Sequence, residues 1–323
     1  MFVTRLAILL GVSAAPALAQ DTTLTLYTSQ PNEDAQQTVD AFMAANPDIA
    51  VEFVRDGTTQ IMARLLTEIE AGQAQPDLLL IADNMTMETM EAEGHLMPYP
   101  EADTGAYPEG LHDPEGHYFS TKLITTGLLR NTSAPMEITS WTDLTKPEAE
   151  GQIVMPSPLT SGAALINYAT LRDVESLGED YFEALAANGA LAEGGNGGVF
   201  RAVAGGEKMY GIVVDFLPIR EAAAGSPVEF VFPEEGVSAV TEPVAIMAST
   251  DAPEAAQRFV DFLLSREGQE LAASQGYLPA HPDVTPPPGF PARDTIEVLD
   301  YDAAEVMRNQ EALKAEFAET FGQ

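Results

Sequence analysis

The chain contains no cysteine. Disulfides, thiolate metal sites and cysteine nucleophiles are therefore excluded, and the fold must rest on its packed core. Positive charge is scarce: Lys and Arg total 15 against 50 Asp and Glu, a formal net charge of −35 at pH 7. Only four of the cations are lysine. Such a field repels polyanions, which excludes nucleic acid and anionic membrane as partners. The acids are spread along the chain rather than gathered in a tail, which reads as a solvated acidic surface. An anion-binding site in this chain must supply its own local positive potential. Gly-x-Ser-x-Gly and His-Glu-x-x-His are absent too, which argues against an exported hydrolase. Beyond the first nineteen residues, no segment approaches the ~20 apolar residues of a membrane-spanning helix.

Those nineteen residues have a pattern of their own. Arg5 precedes an apolar run from Leu6 to Ala15, and Ala17-Leu18-Ala19 follows before Gln20. This is the basic, apolar and small-x-small order of a cleaved secretory signal peptide. It predicts a mature protein that starts near Gln20 and works in the periplasm. No lipobox cysteine is present to carry a lipid anchor. About 300 mature residues suffice for two lobes with separate cores.

Strand and helix patterns alternate along the chain. Leu24–Thr28 reads as a strand, then a helix from Glu33 turns Val39, Phe42 and Met43 inward and stops at Asn46-Pro47. A second strand is expected over Ile49–Val54, followed by a helix carrying Ile61, Leu65, Leu66 and Ile69 at helical spacing. The apolar run Leu78–Ile81 suits a buried parallel strand. Further short strands are expected at Ile153–Pro156, Tyr210–Val214, Val228–Phe232 and Val244–Ala248. Helices are expected after Gly162, over Val199–Ala204, over Glu254–Leu264 and around Ala303–Phe321. This grammar predicts an α/β fold with parallel strands.

Several segments, in order, carry a resemblance: Leu26-Tyr27-Thr28-Ser29, Ala45-Asn46-Pro47-Asp48-Ile49, Val54-Arg55-Asp56-Gly57-Thr58 and Ser140-Trp141-Thr142-Asp143-Leu144. Gly151-Gln152-Ile153-Val154-Met155-Pro156, Thr160-Ser161-Gly162, Ala204-Gly205-Gly206-Glu207, Phe232-Pro233-Glu234-Glu235-Gly236 and Gly276-Tyr277-Leu278-Pro279 continue it. Together they resemble the periplasmic solute-binding proteins of ABC importers, in the branch that binds ferric iron, phosphonates and sugar phosphates. The resemblance implies a type II binding-protein fold: two lobes, each a mixed sheet flanked by helices, joined by crossing hinge strands and closing on ligand. The expected division is a signal peptide over 1–19, lobe 1 over 20–120, lobe 2 over 121–240, a return to lobe 1 over 241–290 and a C-terminal helical segment over 291–323. A small-molecule ligand, an ABC permease in the inner membrane and a monomeric state are implied. No cofactor is.

Within that branch, the ferric members use adjacent tyrosines. Here Tyr210 stands alone in Tyr210-Gly211-Ile212-Val213-Val214-Asp215-Phe216, so an iron site would have to rest on Tyr210, Asp215 and a carried anion. His95, His112, His117 and His281 lack the i, i+4 spacing of a helical metal pair, and no metal site is expected.

The loops suit an oxyanion better. Thr58-Thr59, Thr160-Ser161-Gly162 and Gly195-Asn196-Gly197-Gly198 each precede or open a helix. A helix start offers unpaired N–H groups and the positive dipole end, though each loop alone could be plain N-capping. Arg201 follows the glycine-rich loop and could grip an oxyanion bidentately; Arg55 has a weaker claim. Asp215, at a strand end, could hold an ammonium group. Tyr27 and Phe216 could wall the cleft, with Thr28 and Ser29 beside them. The pattern is most similar to binders of 2-aminoethylphosphonate. The expected ligand set is thus Tyr27, Thr28, Ser29, Thr58, Thr59, Thr160, Ser161, Gly162, Asn196, Gly197, Arg201, Asp215 and Phe216. The expected ligand is a small phosphonate or phosphate-containing solute; ferric iron is the alternative.

Overall fold

The structure, a computed structural model, describes residues 22–323 except 109 and 179. The expected signal peptide lies outside them. In chain order the first half contains β1 (Thr22–Thr28), α1 (Asn32–Ala45), β2 (Ile49–Arg55), α2 (Thr58–Glu70), β3 (Leu78–Leu80), α3 (Asn84–Ala92), β4 (Leu96–Met97), β5 (Tyr118–Asn131), β6 (Ile153–Met155) and α4 (Gly162–Arg172). The second half contains α5 (Asp180–Ala187), β7 (Leu191–Ala192), α6 (Asn196–Ala204), β8 (Tyr210–Val214), α7 (Phe216–Ala223), β9 (Val228–Val231), β10 (Ser238–Met247), α8 (Pro253–Leu264), α9 (Arg266–Ser274), β11 (Leu278–Pro279) and α10 (Ala303–Phe321).

The strands form one mixed sheet in the order β2-β1-β3-β10-β5-β8-β6-β7. Its two ends are parallel: β1 pairs with β2 and β3, and β6 with β7 and β8. The long central strands β5 and β10 run antiparallel to each other. The end of β10 pairs with β3 and the end of β5 with β8, so these two strands join the halves. The lobe boundaries expected at 120/121 and 240/241 fall inside these continuous strands. The β5–β10 register shifts between Thr241 and Pro243, where proline cannot donate to the ladder.

β3, β6 and β8 are buried along their whole length because both faces of the sheet are covered there. Leu78 and Leu80 enter one core with Leu24, Leu26, Phe42 and Phe259, while Leu79 enters another with Tyr27, Ile61 and Leu65. Successive side chains of a strand point to opposite faces, which is why one Leu-Leu-Leu run serves two cores. The other half has its own core around Trp141, Tyr168, Phe182, Tyr210 and Ile212, sealed by Phe317 of α10. Tyr168 meets Phe182 edge-on with ring centroids 4.6 Å apart.

Two expectations need correction here. Leu66 does not turn inward; it is 41% exposed, on the outer rim of α2. The strand expected over Val244–Ala248 is longer, starting at Ser238. Among the described residues no helix is long and apolar enough to cross a membrane. Phe259 packs edge-on against Phe42 at 4.9 Å and is fully buried. Phe259→Ala is expected to lower stability by about 3–5 kcal/mol, read as a lower denaturant midpoint at unchanged slope.

Candidate functional site

Parallel strands connected by helices place every helix start at the carboxyl end of the strand before it. The two parallel ends of this sheet direct those ends towards each other. The result is a cleft of ≈ 750 Å³ lined by the starts of several helices: Pro31 and Asn32 of α1, Gly57 and Thr58 of α2, Thr160 and Ser161 of α4, Gly195–Gly198 of α6, and Phe216 and Leu217 of α7. The starts of α1, α2 and α6 have no side-chain cap. Their first N–H groups are left to solvent or ligand.

Of the residues expected in the site, Ser29, Thr58, Thr160, Ser161, Asn196, Gly197, Arg201 and Phe216 line this cleft. The oxygens of Ser29, Ser161 and Asn196 are used locally, accepting from the backbone N–H of Ala82, Ala164 and Val214. The hydroxyl protons and the Asn196 amide N–H groups stay available for a ligand. Thr160 differs: its hydroxyl lies 3.1 Å from the Gly194 carbonyl, tying α4 to the glycine loop.

The remaining expected residues are placed elsewhere. Tyr27 is fully buried in a core, not at the cleft wall. Its hydroxyl donates to Glu68 at 3.0 Å, and burial followed by that carboxylate pushes its pKa up to about 12. Thr28 is also fully buried, its hydroxyl oxygen accepting from Gln30 N–H. Thr59 and Gly162 flank the cleft without lining it. Gly162 has a packing reason: a Cβ there would lie 3.3 Å from the Ala82 carbonyl and 3.6 Å from Thr58 Cγ2, where the two lobes approach.

Asp215 is the main correction. It is completely buried and caps α7, accepting from Phe216 N–H at 2.6 Å and from the Thr125 N–H and hydroxyl at 2.9 and 2.7 Å. It pins the end of β8 to β5 and does not line the cleft. Burial raises its pKa to about 7, against the opposing effect of these donors. Tyr210 is likewise buried, with its hydroxyl 3.1 Å from Met136 N.

Three arginines line the cleft: Arg55 and Arg201, which the sequence singled out, and Arg220, which it did not. Among the described residues, Arg55 and Arg201 have no carboxylate partner. Arg55 donates instead to the Gln30 carbonyl at 2.7 Å. Arg201 lies over the first turn of α6, so that a Cβ on Gly197 would sit 3.5 Å from its guanidinium. Two further cleft-lining residues are paired: Arg220 with Asp34 at 2.9 Å and Glu242 with Lys122 at 2.8 Å. Glu221 and Tyr277 line the cleft as well. The cleft thus carries both kinds of group: Arg55 and Arg201 without a carboxylate partner among the described residues, and the carboxylates Glu221 and Glu242. Sequence alone held no signal for Arg220 or Glu242, because their cleft-facing positions depend on tertiary packing.

A second group of polar side chains, far from the cleft in sequence, could hold a cation. Ligand atoms of Glu91, Glu115 and His117 lie within 4.8 Å of one another, and His117 Nδ1 is 3.0 Å from Asp113 Oδ2. The group is assembled by the fold, not by helical spacing.

Crossing strands between two half-sheets, with helix starts facing a common cleft, define a two-lobed α/β binding protein. Solved structures share this architecture. The binding protein AfuA of Actinobacillus pleuropneumoniae, solved with fructose-6-phosphate, superposes with a TM-score of 0.83 at 23% identity, covering 93% of this chain and 99% of that one. Iron-bound HitA of Pseudomonas aeruginosa gives 0.79 at 21% identity, covering 92% and 99%. The probable ABC transporter periplasmic-binding protein y4fP of Sinorhizobium fredii is 25% identical over 293 residues, 87% of this chain and 80% of that one. The chain matches the model of the bacterial extracellular solute-binding proteins over residues 74–305 and belongs to that family. Its members are solute-binding proteins.

The pKa of Asp215 yields a test. The folded protein holds a proton on this group between pH 3.8, its ordinary value, and about 7. The resulting stabilisation is fully present below the lower value and is lost as pH rises through the upper one. In Asp215→Asn this dependence disappears. The stability advantage of wild type over the variant should shrink from pH 4 to pH 7 in denaturant melts. A constant difference would show that Asp215 stays ionised when folded.

Proposed function

We propose that this protein captures a small phosphonate or phosphate-containing solute in the periplasm, with 2-aminoethylphosphonate the best candidate, and delivers it to the permease of an ABC importer. It acts by lobe closure, as a monomer and without a cofactor. The observation that carries this reading is the convergence of the α2, α4 and α6 starts on one cleft beside Arg55 and Arg201, the cleft-lining guanidiniums without a carboxylate partner among the described residues. Backbone N–H groups and helix dipoles attract an oxyanion without adding net charge, and guanidiniums add directed donors. In so acidic a chain, little else gives an anion a reason to enter.

The ammonium end of an aminophosphonate needs an acceptor, and Asp215 is not available for it. Glu221 and Glu242, which line the cleft, take that role in this reading. The fructose-6-phosphate of the AfuA structure supports a phosphoryl ligand for this fold. The iron of HitA keeps ferric ion as the competing reading. That reading lacks its expected ligands here, since Tyr210 and Asp215 are both buried away from the cleft.

Thermal shift of the mature protein decides between them, with a panel of 2-aminoethylphosphonate, alkylphosphonates, sugar phosphates, phosphate, carboxylates and ferric citrate. A ligand at 100 times its Kd adds about 2.7 kcal/mol of stability. A rise with phosphonates or phosphate esters is expected; a rise with ferric citrate alone overturns the ligand reading. Arg201→Ala should weaken the phosphoryl ligand by about 1.5–3 kcal/mol, the loss expected for a charged hydrogen bond. Unchanged affinity in calorimetry removes Arg201 from the site.

A further inference from the structure

Asp34 is 1% exposed, an unusual place for a carboxylate. It lies on α1, in the half of the molecule built on β1–β3, and accepts from the Tyr277 hydroxyl at 2.6 Å. Its other oxygen takes Arg220 Nη1 at 2.9 Å. Arg220 belongs to α7, which follows β8 in the opposite half, and the same Nη1 donates to the Gln275 carbonyl at 3.0 Å. Arg220 also lines the ligand cleft. One guanidinium therefore faces the solute and grips the opposite lobe through a buried acid.

The hinge nearby is poorly satisfied in this arrangement. Among the described residues, the buried side-chain polar atoms without a hydrogen-bond partner are Gln30 Oε1 and Thr241 Oγ1. Gln30 bonds Glu242 through its amide nitrogen, and Thr241 is Glu242's neighbour in β10, at the register shift. Orphaned buried polar atoms disfavour the state that holds them. Thr241 lies on crossing strand β10 at its register shift, and Gln30 is held against Glu242 at the same place. Opposing them, separation of the lobes would take Arg220 from Asp34 and leave a buried carboxylate without its counter-ion, which is strongly unfavourable.

We propose that the Asp34–Arg220 pair is the latch that holds the lobes together against the hinge. Asp34 then acts as a positioning residue: it sets the closed-to-open ratio before any solute binds and holds Arg220 at the cleft wall. A solute that engages Arg220 meets a side chain already fixed, so less of its binding energy goes into closing the lobes. The proposal rests on the lobe closure described above but not on the identity of the solute.

The absence of cysteine makes the test direct. Spin labels on Glu52→Cys and Glu183→Cys, both exposed and in opposite halves, report the lobe separation of the full mature protein by pulsed electron resonance, without ligand. Asp34→Asn and Arg220→Gln should each shift the population towards longer distances, lowering the closed-to-open ratio about 5–150-fold, the range of such couplings. The double variant should shift no further than either single one, and Arg220→Lys should recover part of the closed population. If Asp34→Asn does not fold, Arg220→Gln carries the test alone. A lower melting temperature with unchanged distances makes the pair a fixed structural contact and overturns the latch. Should wild type show two distances whose ratio the variants leave alone, the latch fails while lobe closure stands. One fixed distance in every variant, with the phosphonate panel present or absent, refutes both.

Discussion

Everything at the candidate site depends on one constraint of chain direction. A helix that returns the chain between parallel strands must begin at the carboxyl end of the strand it leaves. In this sheet the parallel strands lie at both ends, and their carboxyl ends face a shared cleft. Helix starts, with their unpaired N–H groups, are therefore delivered to the cleft by topology rather than by any single side chain. The positive potential they create is needed because the chain has a net charge of −35. Arg55 and Arg201 sharpen it, and among the described residues both are free of carboxylates while most cations are paired.

The crossing strands β5 and β10 convert the two half-sheets into one molecule. They are buried along most of their length, and so their polar residues have fixed partners. Lys122 pairs with Glu242 and sits 4.0 Å above the Tyr277 ring, while the Thr121 hydroxyl donates to the Glu242 carbonyl. Recognition and lobe geometry thus share residues. Glu242 lines the cleft and stands at the register shift of the hinge; Arg220 lines it and spans the lobes. A solute that touches this wall touches the parts that determine lobe arrangement.

Much of this was legible in the sequence where one physical rule dominates. The apolar triplet at Leu78–Leu80 and the stop at Asn46-Pro47 gave a strand and a helix end. The loops at Thr58, Ser161 and Gly195 were readable as helix starts, and all three lie at the cleft. What was not legible required tertiary partners. β5 carries Ser120, Thr121, Lys122, Thr125 and Thr126 among its apolar residues, a composition that does not look buried, yet all five are. The capping of α7 by Asp215 was not legible because Phe216–Ala223, with Pro218 in its first turn, does not read as a helix start. Asp34 and Arg220 stand 186 positions apart, and no local pattern couples them.

The central claim is that this cleft holds a phosphoryl group through helix starts and guanidiniums. Phosphorus-31 magnetic resonance tests it most directly, by following the 2-aminoethylphosphonate signal as mature protein is added. The account predicts a shifted or broadened resonance that excess unlabelled sugar phosphate or phosphonate returns to its free position. A resonance unchanged at protein concentrations equal to the ligand, for 2-aminoethylphosphonate and for sugar phosphates alike, would contradict it.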